Sequence, residues 1–160
     1  MISRRRSSGF TIVEMIITVL IISILATMVV PFAKLNLQRT KENELRYALR
    51  QIRDAIDAYK AAVDEDHIVR NADESGYPAR LSILVEGVVD QKDPNRNKIY
   101  FLRRIPSDPF TSDKTLPPER TWGLRSYRSP PDDPQEGRDV YDVYSLSSKI
   151  GLNDVPYREW

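Results

Sequence analysis

Residues 9–33 of this 160-residue chain read GFTIVEMIITVLIISILATMVVPFA, and Glu14 is the only charged residue between Phe10 and Ala33. A helix over residues 10–33 would be roughly 36 Å long, enough to cross a hydrocarbon core of about 30 Å. Because backbone groups in lipid must satisfy their own hydrogen bonds, this segment predicts a transmembrane helix.

Three arginines, Arg4–Arg6, precede the apolar segment. Positive charge beside a membrane span favours the cytoplasmic side, so we expect the amino end in the cytoplasm and the rest of the chain outside. Two simpler interpretations are an ordinary secretory signal peptide and a plain single-pass anchor. A signal peptide fits poorly, because its apolar region is shorter and seldom contains a charge such as Glu14.

Two residues stand out within the apolar segment. An ionised carboxylate in lipid costs about 2.5–3.5 kcal/mol on insertion scales, so Glu14 predicts a compensating partner. The alternative is that its side chain reaches back to the membrane interface beside Arg6. Pro31 has no amide hydrogen for the carbonyl of Thr27, so it predicts a kink or an end of the helix, or the point where the chain leaves the membrane.

The hexapeptide Gly9-Phe10-Thr11-Ile12-Val13-Glu14 resembles the processing site of type IV pilins and type II secretion pseudopilins. The resemblance implies that residues 1–9 are a leader, that a prepilin peptidase cuts between Gly9 and Phe10, and that Phe10 becomes N-methylated. It further implies that Glu14 neutralises the new amine of a neighbouring subunit during filament assembly. Pro31 also stands where the family has a proline, in a region where the family's helix bends or loosens.

Residues 34–66 continue the pattern as an amphipathic helix. Apolar side chains recur there at spacings of three or four residues: Leu45, Leu49, Ile52, Ile56, Tyr59 and Val63. We predict one helix from about Phe10 to about Val63, whose stripe packs on a sheet rather than in a coiled coil. The spacing of Arg53 and Asp57 predicts an ion pair on the polar face.

Residues 67–160 are predicted to form one small globular domain. Residues 80–87 indicate a short helix that ends at a glycine, and three strands are predicted at 98–105, 122–128 and 140–146. Such strands form an antiparallel meander, which the helix stripe would cover. The fold class is therefore α+β and pilin-like, with a long N-terminal helix packed on a small antiparallel sheet.

The segments Ile105–Phe110 and Tyr141–Ser145, with their order along the chain, resemble the major pseudopilins of type II secretion systems. The chain has no cysteine, which favours a pseudopilin over those pilins that carry a disulfide near the carboxyl end. The resemblance also implies a calcium ion in the loop after the last strand, where Asn153 and Asp154 would contribute oxygens. The alternative is a loop held by the packing of Tyr157 and Trp160.

No catalytic constellation is visible in the sequence. His67 is the one histidine, too few for a triad or a zinc site, so we predict no enzyme activity and no metal site of this kind. Loss of the three leader arginines from 24 basic residues leaves 21 against 23 acidic ones. A nearly neutral mature chain argues against nucleic acid as the main partner.

These observations predict a structural subunit of a type II secretion pseudopilus that polymerises through its N-terminal helix to drive protein export. The implied partners are copies of itself, minor pseudopilins, the inner-membrane assembly platform and the prepilin peptidase. We expect a single-pass inner-membrane protein with a periplasmic domain and a periplasmic filament on assembly. The alternatives are a type IV pilus subunit for adhesion, motility or DNA uptake, and a membrane-anchored binding module that never polymerises.

Overall fold

A computed structural model describes residues 10–160, apart from the side chains of Met28 and Val30. Gly9 and the predicted leader lie outside this range. The regular elements are helices α1 (Ile12–Asp64) and α2 (Ile83–Glu86), strands β1 (Val88–Val89), β2 (Lys98–Ile99), β3 (Trp122–Arg125) and β4 (Asp142–Ser145), and 3-10 helices at Pro118–Thr121 and Tyr157–Glu159. The chain divides into two compact units between Arg39 and Thr40.

Helix α1 matches the predicted long helix closely. It is 53 residues long, begins at Ile12 rather than Phe10 and ends at Asp64 rather than Val63. Pro31 lies inside it, so the proline does not end the helix. The α+β, pilin-like fold class is confirmed.

The core of the second unit is built on the predicted stripe of α1. Leu45, Ile52 and Ile56 are fully buried, and they form one cluster with apolar side chains of the rest of the unit, among them Leu84 of α2, Trp122 of β3 and Val143 of β4. The stripe therefore packs on the chain's own sheet and loops, as predicted.

The single meander is wrong, because the unit contains two separate two-stranded antiparallel sheets. In one, Val88 of the unpredicted strand β1 pairs with Ile99 of β2. In the other, β3 and β4 pair from Trp122–Ser145 to Arg125–Asp142.

The predicted strand 98–105 is only two residues long. The amides of Phe101 and Leu102 both donate to the carbonyl of Leu84, at 3.0 and 2.9 Å. These bonds turn the chain onto the end of α2, so it cannot continue along a sheet.

Gly87 ends α2, as the sequence predicts, although the helix begins only at Ile83. Its φ of +72° lies in the region that favours glycine, and its amide donates to the carbonyl of Ile83 at 3.1 Å. A Cβ at this position would lie 2.7 Å from the ring of Tyr100. Both conformation and close approach therefore require glycine here.

Arg53 ties α1 to the carboxyl-terminal part of the chain instead of pairing with Asp57. Its Nε lies 2.7 Å from Asp142 Oδ1, and its Nη2 donates to the main-chain oxygens of Val143 at 3.2 Å and Trp160 at 2.8 Å. One guanidinium thus joins the helix, strand β4 and Trp160, the residue after the last 3-10 helix. Charge-assisted bonds of this kind are roughly twice as strong as neutral ones.

Arg53→Met is expected to lower the free energy of unfolding by about 1–2 kcal/mol, because it removes a charged donor from partly buried acceptors. Arg50→Met is the matched control, since Arg50 is exposed on the same helix. Thermal unfolding of the detergent-solubilised chain, followed by the fluorescence of Trp122 and Trp160, measures the difference. Equal stability of the two variants would contradict a role for Arg53 in holding the unit together.

Candidate functional site

Thr11 caps the amino end of α1. Its Oγ1 accepts a hydrogen bond from the amide of Glu14 at 3.2 Å, and its carbonyl accepts one from Met15 at 3.1 Å. Glu14 therefore lies in the first helical turn, where the helix dipole favours negative charge. Our sequence analysis missed this cap, although a threonine followed three residues later by a glutamate is a local signal for a helix start.

The first unit presents an apolar helix surface. Within residues 10–160, α1 is the one helix that is long and apolar enough to cross a membrane, judged by length and composition, and none of its most apolar window is buried. Its hydroxyl groups are satisfied along the helix: Thr18 donates to the Glu14 carbonyl, and Ser23 to the Val19 carbonyl at 2.7 Å. These bonds suit polar side chains in a segment without water.

The residues of the predicted assembly site lie on the surface of this helix segment. Phe10 is 76% exposed, and Glu14 and Pro31 are exposed as well. Within residues 10–160, the hydrogen bonds and ion pairs include none to the carboxyl group of Glu14. Phe10, just before α1, and Glu14, in its first turn, thus lie at the same end of the helix, and Pro31 lies about five turns further along. Their assembly roles stay predictions.

Aromatic side chains hold the carboxyl-terminal segment in the second unit. Tyr157 is fully buried and stacks on Phe110 with ring centroids 4.0 Å apart, and Trp160 meets Tyr157 edge to face at 5.0 Å. The guanidinium of Arg46 lies 4.4 Å from the centroid of the Trp160 ring, a cation–π contact from α1. The packing of Tyr157 and Trp160, proposed as the alternative to calcium, is present.

Comparison with known proteins decides the family. Residues 4–30 match the family described as the prokaryotic N-terminal methylation motif. The type II secretion system core protein G of Pseudomonas aeruginosa PAO1 is 32% identical over 111 residues, which are 67% of this chain and 70% of that protein. This chain belongs to the core protein G family.

Other members of the family match at similar levels. The core protein G of Escherichia coli K12 is 29% identical over 115 residues, 69% of this chain and 72% of that protein. The Klebsiella pneumoniae member is 26% identical over 150 residues, which are 91% of this chain and 99% of its own. No solved structure matches the chain.

The loop after β4 offers a poor set of ligands for the calcium ion that the family resemblance implies. Calcium takes six to eight oxygens, usually with several carboxylates among them. Here Asn153 Oδ1 already accepts the amide of Val155 at 3.3 Å, and Asp154 is the loop's one carboxylate. Within residues 10–160, no group of three or more His, Cys, Asp or Glu side chains is placed to hold a metal. The residues present therefore do not fit the ion.

In this member of the core protein G family, His67 lies shortly after the end of α1 and contacts the turn that follows β1. Its Nδ1 lies 2.8 Å from Asp90 Oδ1, and its carbonyl accepts the amide of Gln91 at 2.9 Å. The hydrogen bond with His67 is the main cause that lowers the pKa of Asp90 below its usual value, and the Lys92 amide adds to it. This arrangement holds the turn after β1 against the segment that follows α1.

A groove of about 470 Å³ between α1 and residues 101–104 is open and shallow. Its charged lining consists of Asp54, Arg103 and Arg104, with Gln51 beside them. The lining contains no hydroxyl, thiol or imidazole group.

The hydrogen bond between His67 and Asp90 predicts that the stability of the folded chain depends on pH. Because the pKa of Asp90 is lower in the folded chain than in the unfolded one, its contribution to stability is complete above the unfolded value, near 3.9, and is lost as pH falls through the folded value. The stability difference between the native chain and Asp90→Asn should shrink progressively as the pH falls from about 5 to about 2. Thermal unfolding at each pH measures it.

His67→Phe is the control for this titration, because it removes the imidazole that lowers the pKa of Asp90. In that background the stability difference caused by Asp90→Asn should change less between pH 4 and pH 2, about the range where aspartates titrate. An unaltered pH profile would show that the pair does not contribute.

Proposed function

We propose that this protein is a structural subunit of the type II secretion pseudopilus, which a prepilin peptidase processes and which polymerises through α1 to drive protein export. This proposal rests mainly on an exposed apolar helix with a carboxyl group in its first turn, in a chain of the core protein G family. Exposed apolar surface of this extent calls for lipid or for other apolar helices. A filament of packed α1 helices would supply the second.

Charge chemistry gives Glu14 a role in that filament. Cleavage before Phe10 would create a positive amine at the end of α1, and a neighbouring copy shifted along the filament would bring its Glu14 to that amine. Opposite charges attract strongly where water is excluded, and either charge left alone there is penalised heavily. The pair would therefore set the register between subunits more than it would add to their affinity.

The same proposal places the protein in the bacterial inner membrane before assembly. Arg4–Arg6 would keep the amino end cytoplasmic, and the second unit would lie in the periplasm. The partners would be other copies of the chain, minor pseudopilins and the assembly platform. The role of the second unit would be structural rather than catalytic. His67 would contribute to it through its hydrogen bond with Asp90.

Intact-mass and fragment analysis of the membrane-extracted protein tests the processing step. In cells that contain the peptidase, the chain should begin at Phe10 and carry one methyl group on its amine, because Gly9 allows the backbone to enter a protease site. A chain that keeps residues 1–9 would indicate a plain anchor. Cleavage after Ala26 or later would indicate a secreted domain, and either result would contradict the proposal.

Glu14→Ala and Glu14→Gln should each reduce polymer formation by roughly 100-fold or more, because each leaves the buried amine of a neighbour uncompensated. Sedimentation of sheared filaments and secretion of exoproteins measure the loss. Glu44→Ala is the matched control, since Glu44 is exposed on the same helix within the second unit. Wild-type assembly by the Glu14 variants would support a membrane-anchored module instead.

Assays for secretion and for surface fibres distinguish a pseudopilus subunit from a type IV pilus subunit. A pseudopilus subunit should be required for exoprotein secretion, whereas a type IV pilus subunit should form long extracellular fibres needed for adhesion, motility or DNA uptake. Deletion followed by both assays distinguishes them. Normal secretion together with loss of surface fibres would favour the type IV pilus.

A further inference from the structure

Glu42 is a buried acidic residue that the proposed assembly does not use. It lies on α1 in the second unit, and the residue is only 4% exposed. Its Oε1 atom accepts two hydrogen bonds. The donors are the amide of Leu152 at 2.8 Å and the hydroxyl of Tyr157 at 2.9 Å. Both donors belong to the carboxyl-terminal segment, so one carboxyl group links the helix to that segment at two points.

The loop of residues 146–156 is organised by its own main chain. The amide of Gly151 donates to the carbonyl of Val155 at 2.9 Å, and the amide of Tyr157 donates to the carbonyl of Lys149 at 3.1 Å. Ile150 and Pro156 form an antiparallel bridge between these bonds. The loop is thus a small closed hairpin, and Leu152 at its tip turns its amide to Glu42.

Gly151 shows how tightly this hairpin is packed. A Cβ there would lie 2.6 Å from the ring of Trp160 and 2.6 Å from Asn153 Oδ1. Contacts under 3.0 Å do not occur for real Cβ atoms, so the hairpin backbone rests directly on the aromatic ring. The loop is therefore held from two sides, by Trp160 and by Glu42.

We infer that Glu42 fixes the 146–156 loop to α1 by direct hydrogen bonds, so that the loop keeps its fold without a divalent cation. Buried polar groups are costly unless they are paired, and here the amide and the hydroxyl of the segment are paired with a carboxyl group of the same chain. Lys149 adds a positive charge to the loop, which opposes a cation there. Glu42 of α1 thus fixes the loop in place of the calcium ion that the family resemblance implies.

The first test measures the effect of calcium on the full chain in detergent. Thermal unfolding, followed by tryptophan fluorescence, is recorded with EGTA and with millimolar calcium chloride. The two midpoints should agree within about 1 °C, because no bound ion contributes to the folded state. A midpoint that falls with EGTA or rises with calcium would overturn the inference.

The second test removes the link itself. Glu42→Ala should lower the unfolding midpoint by about 4 °C or more, because it leaves the donors of Leu152 and Tyr157 without their acceptor. Limited proteolysis should then cut within residues 146–156 faster than in the native chain. Glu44→Ala is the matched control on the exposed side of α1. Equal behaviour of the two variants, or recovery of Glu42→Ala with calcium chloride, would overturn the inference.

Milder variants keep the test decisive if Glu42→Ala does not fold. Tyr157→Phe removes one donor and keeps the aromatic packing, so its loss should be smaller, with Tyr47→Phe as the exposed control. Glu42→Gln retains an acceptor oxygen and should also lose less than Glu42→Ala. A Tyr157→Phe midpoint equal to that of Tyr47→Phe would contradict the anchoring role. None of these measurements depends on filament assembly, so they stand or fall apart from the proposed function.

Discussion

Burial of the α1 stripe is the interaction on which the second unit depends. The two sheets consist of paired strands of two and four residues, and isolated two-stranded hairpins are marginal in water. Leu45, Ile52 and Ile56 supply an apolar face that is already ordered by the helix backbone. The strands and loops gain stability by covering this face, which explains why so little regular sheet is sufficient.

Polar side chains on the same helix decide how the covering segments lie. Apolar contacts favour burial but are not directional, so they cannot by themselves fix the position of a loop. Arg53 fixes β4 and the Trp160 main chain, Arg46 covers the Trp160 ring, and Glu42 holds Leu152 and Tyr157. These contacts come from about three turns of α1, residues 42–53, and together they fix the position of the carboxyl-terminal segment.

The parts of the fold that follow local rules could be predicted from the sequence. The spacing of the stripe from Leu45 to Val63 specifies a helix and its buried face, and Gly87 marks the end of α2 because the required φ is local. The length of β2 could not be predicted, since the carbonyl of Leu84 redirects the chain after Ile99. The partner of Arg53 could not be predicted either. Asp142 lies 89 residues away along the chain, whereas Asp57 is four residues away and fits the spacing of a helical ion pair.

The candidate site divides in the same way. The hexapeptide at residues 9–14 could be recognised by resemblance, whereas the buried position of Glu42 depends on a loop more than a hundred residues away. Glu14 and Glu42 nevertheless obey one rule, that a carboxyl group away from water requires donors. The donors to Glu42 belong to its own chain, so their hydrogen bonds stabilise the subunit. In the proposed filament the donor to Glu14 belongs to another copy, so the same kind of pairing would direct assembly.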